Sequence, residues 1–337
     1  MTVQIDEELQ QAIRDLPKAE LHLHFEGAAP PAFIRGMAQE KNVDLSQIFD
    51  EDGSYAYQGF DHFLSVYEAA TSVLKTPEDF ARLTRAVLEE TAAHNVIYAE
   101  TFLSPDFCGG GDVAAWREYL QAITEEAARC EAELGITLKG IITCIRHFGP
   151  EKAKAAALCA AETQGDFIRG FGMAGAEDMG KQSDFAYSFD MAREAKLHLT
   201  SHACEWRGPA EARDAVLDLG VERIGHGVRA ITDPAVVDLF VERGVTLEVC
   251  PGSNVFLGVY PSLKDHPIQA FRDAEVKVTI STDDPPFFHT TMTKEFEDLV
   301  QVLGWTLADL NEMTRNALEA AFCDDTTRDT LMKRLPK

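Results

Sequence analysis

Residues 20–25 read Glu-Leu-His-Leu-His-Phe, a short apolar run that carries two histidines two positions apart. On a β-strand, residues i and i+2 face the same side, roughly 6.5–7 Å apart by strand rise. His22 and His24 would then share one face, close enough for both imidazoles to reach one ion at about 2.0–2.1 Å. Leu21 and Leu23 are expected to face surrounding helices. Alone, the pair is a weak sign, because two histidines at a strand end need share no task. Its meaning depends on the sheet that the strand joins.

Seven further β-rich runs follow, near 96–101, 138–145, 167–172, 197–202, 222–226, 245–250 and 277–283. Amphipathic stretches lie between them, for instance 77–94 and 112–133, with apolar residues at helical spacing. Thr76-Pro77-Glu78-Asp79 reads as a helix start, with a capping residue, Pro in the first turn and acids against the dipole; Asp233-Pro234 repeats the signal. Eight strands alternating with helices predict the α/β class and a closed (β/α)₈ TIM barrel, with an open doubly wound sheet as the competitor. The long segment 29–75 has a helical pattern of its own at 60–73 and reads as a helical insertion over the barrel mouth. From about 292 onward the pattern predicts extra C-terminal helices. With no internal repeat and no clear linker, residues 1–337 read as a single domain.

The bulk numbers narrow the partners. The formal net charge is −25, from 56 acids against 31 bases. Such a surface repels phosphate backbones and anionic membranes, so neither nucleic acid nor membrane is an expected partner. No secretory signal is visible at the charged N-terminus, and no apolar run approaches the roughly 18–20 residues that cross a bilayer. Seven scattered cysteines without a C-x-x-C pair suit free thiols in a reducing, cytoplasmic setting.

In a parallel barrel the C-terminal strand ends open onto one face, where barrel enzymes keep their active sites. His202 closes the fifth predicted strand, His226 the sixth, and Asp283 and Asp284 the eighth. Together with His22 and His24 they make a metal site of imidazole and carboxylate, a donor set that suits Zn²⁺ and admits Fe²⁺, Mn²⁺ or Co²⁺. A catalytic zinc keeps a position for water and brings its pKa near 7, so hydrolysis is the natural reaction class. The end of the fourth strand has no lysine to carry a bridging carbamate, which favours one metal over two.

At these positions the chain resembles the adenosine deaminase branch of the metal-dependent amidohydrolases. The matching segments are PKAELHLHFEGA at 17–28, SHACE at 201–205, RIGHG at 223–227, STDDP at 281–285 and, more weakly, EVCPGSN at 248–254. The resemblance implies one zinc held by His22, His24, His202 and Asp283. It implies that His226 holds or deprotonates the attacking water and that Glu205 protonates purine N1. Asp284 would bond N7, and the Gly175 backbone N–H would meet N3. His24 and Glu26 would also border the substrate, a small purine. Attack at C6 pushes electron density to N1, so an acid there lowers the barrier, and Glu205 must be buried to keep its proton.

Adenosine and deoxyadenosine are the expected substrates. Adenine or another 6-aminopurine is the alternative, because adenosine deaminases commonly carry Asp where this chain has Glu26, a position associated with the ribose 5′-hydroxyl. A barrel that has lost catalysis and only binds metal is the rival from another class. The Gly170–Gly175 run satisfies G-x-G-x-x-G but lacks the acid-ended second strand of a dinucleotide site. His198 reads as structural. Arg146 and His147, at the end of the third strand, face the same mouth. Cys204 replaces the family's usual Gly and is expected to be a bystander in a tight turn.

Overall fold

The computed structural model describes residues 4–336; residues 1–3 and 337 of the expected 1–337 unit lie outside the described residues. Eight parallel strands form one sheet in sequence order: β1 (Lys18–His24), β2 (Val96–Leu103), β3 (Thr137–Ile145), β4 (Ile168–Ala174), β5 (His198–Ala203), β6 (Arg223–His226), β7 (Thr246–Val249) and β8 (Lys277–Ile280). The edges meet through residue 283. The Asp283 N–H donates to His22 O at 3.1 Å, and the His24 N–H donates to Asp283 O at 3.0 Å. The TIM barrel expected from the alternation is the observed architecture.

A bulge in β1 decides which residues enter the barrel. Glu20 pairs with Ala99 and Leu23 with Thr101, so Leu21 and His22 together oppose the single residue Glu100. Paired residues of parallel neighbours face the same side. Leu21 and His22 therefore both turn inward, and only Leu23 of the two leucines faces the helices as expected. The Ser281 hydroxyl accepts both displaced amides, Leu21 N–H at 3.1 Å and His22 N–H at 3.2 Å.

Four helices flank the first strand in sequence: α1 (Glu7–Asp15), α2 (Pro31–Lys41), α3 (Gly59–Thr71) and α4 (Pro77–Ala93). The start of α4 is the capping box expected from sequence. Asp79 N–H donates to Thr76 Oγ1 at 3.2 Å, and Thr76 N–H donates to Asp79 Oδ2 at 2.9 Å. The inserted helix α3 has Phe60, Phe63, Leu64 and Tyr67 on one face, at helical spacing, and turns them to the cavity at the strand ends. Beyond residue 292 the chain is helical over Met292–Asp298, Leu307–Ala320 and Asp325–Met332. Phe322, between the last two, reaches the barrel floor, where its ring lies 3.4 Å from the Arg223 guanidinium.

Small residues in β4 serve packing. A Cβ on Gly170 would lie 2.9 Å from the Phe322 ring, and one on Gly172 3.1 Å from Thr200 Cγ2. All but the last glycine of the G-x-G-x-x-G run is thus interior sheet, and Gly175 lies just past the end of β4. His198, at the start of β5, pairs with Glu222 at 2.9 Å and stacks on Phe322, at the opposite end of the strand from His202. All seven cysteines are free and buried. Among the described residues no helix is long and apolar enough to cross a membrane.

Candidate active site

The C-terminal strand ends bring the histidines and acids together. His24 Nε2 lies 3.1 Å from His202 Nε2 and 3.2 Å from Asp283 Oδ1; His22 Nε2 lies 3.5 Å from the same Asp283 oxygen. Ligand atoms of His22, His202, His226 and Asp283 all fall within 4.8 Å of one another, and those of His24, Asp283 and Asp284 form an overlapping group. Asp283 sits three residues beyond the end of β8, not on it, in a left-handed conformation (φ 68°).

The surroundings prepare these rings to accept a cation. His22 Nδ1 bonds Glu248 Oε2 at 2.8 Å and His202 Nδ1 bonds Met173 O at 2.8 Å. Each partner is an acceptor, so each ring keeps its proton on Nδ1 and turns a lone pair on Nε2 into the site. His22 Nε2 is buried without any hydrogen-bond partner. Burial pulls the pKa of His202 well below the ordinary histidine value and lowers that of His24, which keeps both rings neutral. Burial also opposes charge on His22, but the neighbouring Asp283 and Glu248 carboxylates outweigh it and raise the pKa to about 9. The carboxylates thus call for positive charge at the point where His22 Nε2 is orphaned. These residues fit a metal ion.

Behind His22 runs a buried chain of charge. Glu248 Oε1 accepts from Arg223 at 2.6 Å and from Thr200 at 2.9 Å. Arg223 also donates to Glu100 at 2.6 Å and to Ala320 O at 2.9 Å. Arg223 and Glu248 open the matching segments RIGHG and EVCPGSN, but neither is assigned a site role from sequence. The partners of Glu248 come from β1, β5 and β6.

Glu205 lies past β5 in a loop that folds around another acid. The Glu177 carboxylate accepts the backbone N–H groups of Cys204, Trp206 (2.7 Å) and Arg207 (2.8 Å). Cys204 occupies the left-handed region (φ 66°), a conformation that glycine adopts without strain. Its thiol is fully buried, and burial pushes its pKa up. The thiol is absent from both clusters of candidate ligands. Glu205 is 8% exposed, and burial, then Asp283 and Glu177, hold its pKa well above the ordinary carboxylate value, which favours the protonated carboxyl. Arg207 approaches Glu211 at 3.7 Å, not Glu205. Burial likewise lowers His226 to about 3. Asn254, a further residue the sequence reading missed, lies 3.2 Å from both Glu205 Oε1 and His226 Nδ1.

The cavity above this cluster is lined by Gly175, Glu205, Asp284, Tyr67, Phe107 and His147, among others. Gly175 has φ 103°, and a Cβ there would lie 2.7 Å from His147 Nδ1, so only glycine fits. Asp284 packs its Oδ1 against Gly27 without a hydrogen-bond partner. Burial first, then Asp283, Glu26 and Glu205, raise its pKa well above the ordinary value. Glu26 is buried and accepts the Tyr67 hydroxyl at 3.2 Å; burial raises its pKa to about 7. His147 reaches the cavity, but Arg146 does not line it: its guanidinium braces the 179–180 loop at Met179 O (2.6 Å) and Gly180 O (2.8 Å).

Comparison with known proteins gives this arrangement relatives. A family model described as adenosine deaminase matches residues 17–337. The chain is 45% identical over 321 residues to an adenine deaminase of Agrobacterium fabrum, covering 95% of this chain and 98% of the relative. It is 44% identical to an adenine deaminase of Rhizobium rhizogenes, covering 95% and 99%. Among solved structures, the adenine deaminase from Arthrobacter aurescens superposes with TM-score 0.86 at 31% identity, covering 94% of this chain and 97% of that one. An amidohydrolase from Burkhoderia ambifaria, solved with bound Zn, superposes with TM-score 0.87 at 25% identity, covering 98% and 93%.

Proposed function

The chain belongs to the adenosine deaminase family and is a hydrolase acting on C–N bonds, and from that premise we propose that it is a zinc-dependent deaminase of the free base adenine. The observation that carries the chemistry is the position of Glu205, a buried carboxyl 3.7 Å from His226 Nε2 beside the histidine–aspartate cluster. His22, His24, His202 and Asp283 would hold the metal. When bound, zinc supplies Lewis acidity that makes water nucleophilic near neutral pH.

The side chains divide the remaining work. Glu205 protonates N1 as C6 is attacked, which offsets the electron density driven onto the ring. His226 faces the attacking water. Asp284, pushed toward its protonated form by burial and neighbouring acids, is a donor for N7. The close approach allowed at Gly175 brings a backbone N–H to N3. Breaking the C6–N6 bond then releases ammonia and leaves the 6-oxopurine.

The sequence alone favours adenosine, with the free base as the alternative. Two observations favour the free base. The relatives at 44–45% identity are named adenine deaminases over nearly their whole length. Glu26, in the position associated with ribose, is bonded to Tyr67 of the inserted helix and is not part of the cavity wall. Ammonia release from adenine, adenosine and deoxyadenosine by the zinc-loaded protein tests the reading, and no release from any of the three would overturn it.

A further inference from the structure

We infer that Asn254 and His266 are positioning residues that fix His226 as an Nε2–H donor toward the reacting site. A backbone amide, whose hydrogen has only one place to be, fixes the first ring. Ile268 N–H donates to His266 Nδ1 at 3.2 Å. A proton on that nitrogen would collide with the amide hydrogen, so the His266 ring carries its proton on Nε2. His266 Nε2 lies 3.2 Å from the Asn254 side-chain oxygen, which must therefore be the acceptor end of the amide.

That choice orients Asn254. Its Nδ2 then points both hydrogens at the site, one at Glu205 Oε1 and one at His226 Nδ1, each at 3.2 Å. Each polar atom of its side chain is engaged: the oxygen by His266, the two hydrogens by the two candidate catalytic groups. Facing a donor, His226 Nδ1 is the bare nitrogen, and the proton of the ring sits on Nε2. That nitrogen lies 3.7 Å from Glu205 Oε2 and 3.9 Å from Asp283 Oδ2. Asn254, His266 and His226 are each buried, so bulk water does not compete for these hydrogen bonds.

The contrast with the other rings is chemical. His22 and His202 face acceptors through Nδ1 and so offer lone pairs through Nε2. His226 faces a donor and so offers a proton. This separates His226 from the metal ligands although its Nε2 falls within the same cluster. It also narrows the choice left open for His226: the ring holds the attacking water by donating to its oxygen and does not take its proton. The catalytic consequence rests on the deaminase reading, whereas the tautomer does not.

The test is nitrogen NMR of the zinc-loaded protein labelled with ¹⁵N-histidine, with His226 assigned by its absence in His226→Gln. The expected spectrum shows His226 Nε2 protonated and Nδ1 bare; a protonated Nδ1 overturns the inference. In Asn254→Asp the carboxylate accepts from Nδ1 and should reverse the tautomer, with adenine kcat down about 10- to 100-fold, the scale of losing a partner behind a functional histidine. An unchanged tautomer and an unchanged kcat in that variant would also overturn it. His266→Leu should lose a similar factor, and His266→Gln, whose amide can still donate to Asn254, should recover most of it. Equal losses in both His266 variants would leave only a packing role. Should the wild-type protein release no ammonia from adenine, the deaminase reading fails while the spectrum still decides the tautomer.

Discussion

His22 donates its Nδ1–H to Glu248 at 2.8 Å, and Glu248 in turn takes the Arg223 guanidinium at 2.6 Å. One carboxylate therefore serves donors on both of its oxygens. It holds the His22 lone pair toward Asp283 and ties that ring to the barrel floor.

Glu248→Gln breaks this arrangement, because glutamine has one acceptor oxygen for donors on two sides. Zinc affinity should fall about 10- to 100-fold, the usual loss when a ligand's hydrogen-bond partner is removed. Competition of the protein with a chelator for zinc measures it. An unchanged affinity would detach Glu248 from the metal site.

Glu205→Gln keeps the shape of the side chain and its contact with Asn254 but removes the proton it donates. Bound zinc should stay stoichiometric while kcat falls about 10²- to 10⁴-fold, the range for loss of general acid catalysis. Metal analysis alongside steady-state kinetics separates the two outcomes. Near-normal turnover would remove Glu205 from the acid role.

Cys204 stands in the left-handed region at φ 66°, where a non-glycine residue costs about 1–2 kcal/mol. Cys204→Gly relieves that strain and loses some buried packing. The net change in unfolding free energy should stay within about 1 kcal/mol, the two effects offsetting. Zinc content and kcat should both be retained. Loss of zinc would make the thiol a ligand.

Glu295 gives a pH signature outside the metal cluster. It accepts from Thr290 Oγ1 at 2.6 Å and from Gly252 N–H at 3.0 Å, yet burial raises its pKa from 4.5 to about 7. Between those values the folded protein keeps a proton that the unfolded chain has released. The stabilisation is complete below the unfolded pKa and is lost as pH rises through the folded one, at most about 3 kcal/mol for this group. Glu295→Gln should remove that slope. Denaturant midpoints at about pH 5 and about pH 8 should move closer together in the variant than in the wild type; identical spacing would contradict it.

Much of the architecture is legible in the chain because it is local. The alternation of β-rich runs with amphipathic helices marks all eight strands, and the Thr76–Asp79 cap is visible in four residues. The candidate site is legible where its residues close strands, as His202 and His226 do. What is hidden depends on partners distant in sequence. The β1 bulge that turns Leu21 and His22 inward together is stabilised by Ser281, 260 residues from Leu21. Glu177 shapes the Glu205 loop from beyond the end of the neighbouring strand β4. Asn254 gains its role only from the meeting of His226, Glu205 and His266, each on a different segment. An asparagine in EVCPGSN has no pattern that announces this.

On the proposed function, this site deaminates a free purine base. The decisive measurement is the kcat/KM for ammonia release from adenine set against that from adenosine, on zinc-loaded protein under one set of conditions. A ratio well above one in favour of adenine is the predicted result. A ratio that favours adenosine would contradict the account and restore the nucleoside reading.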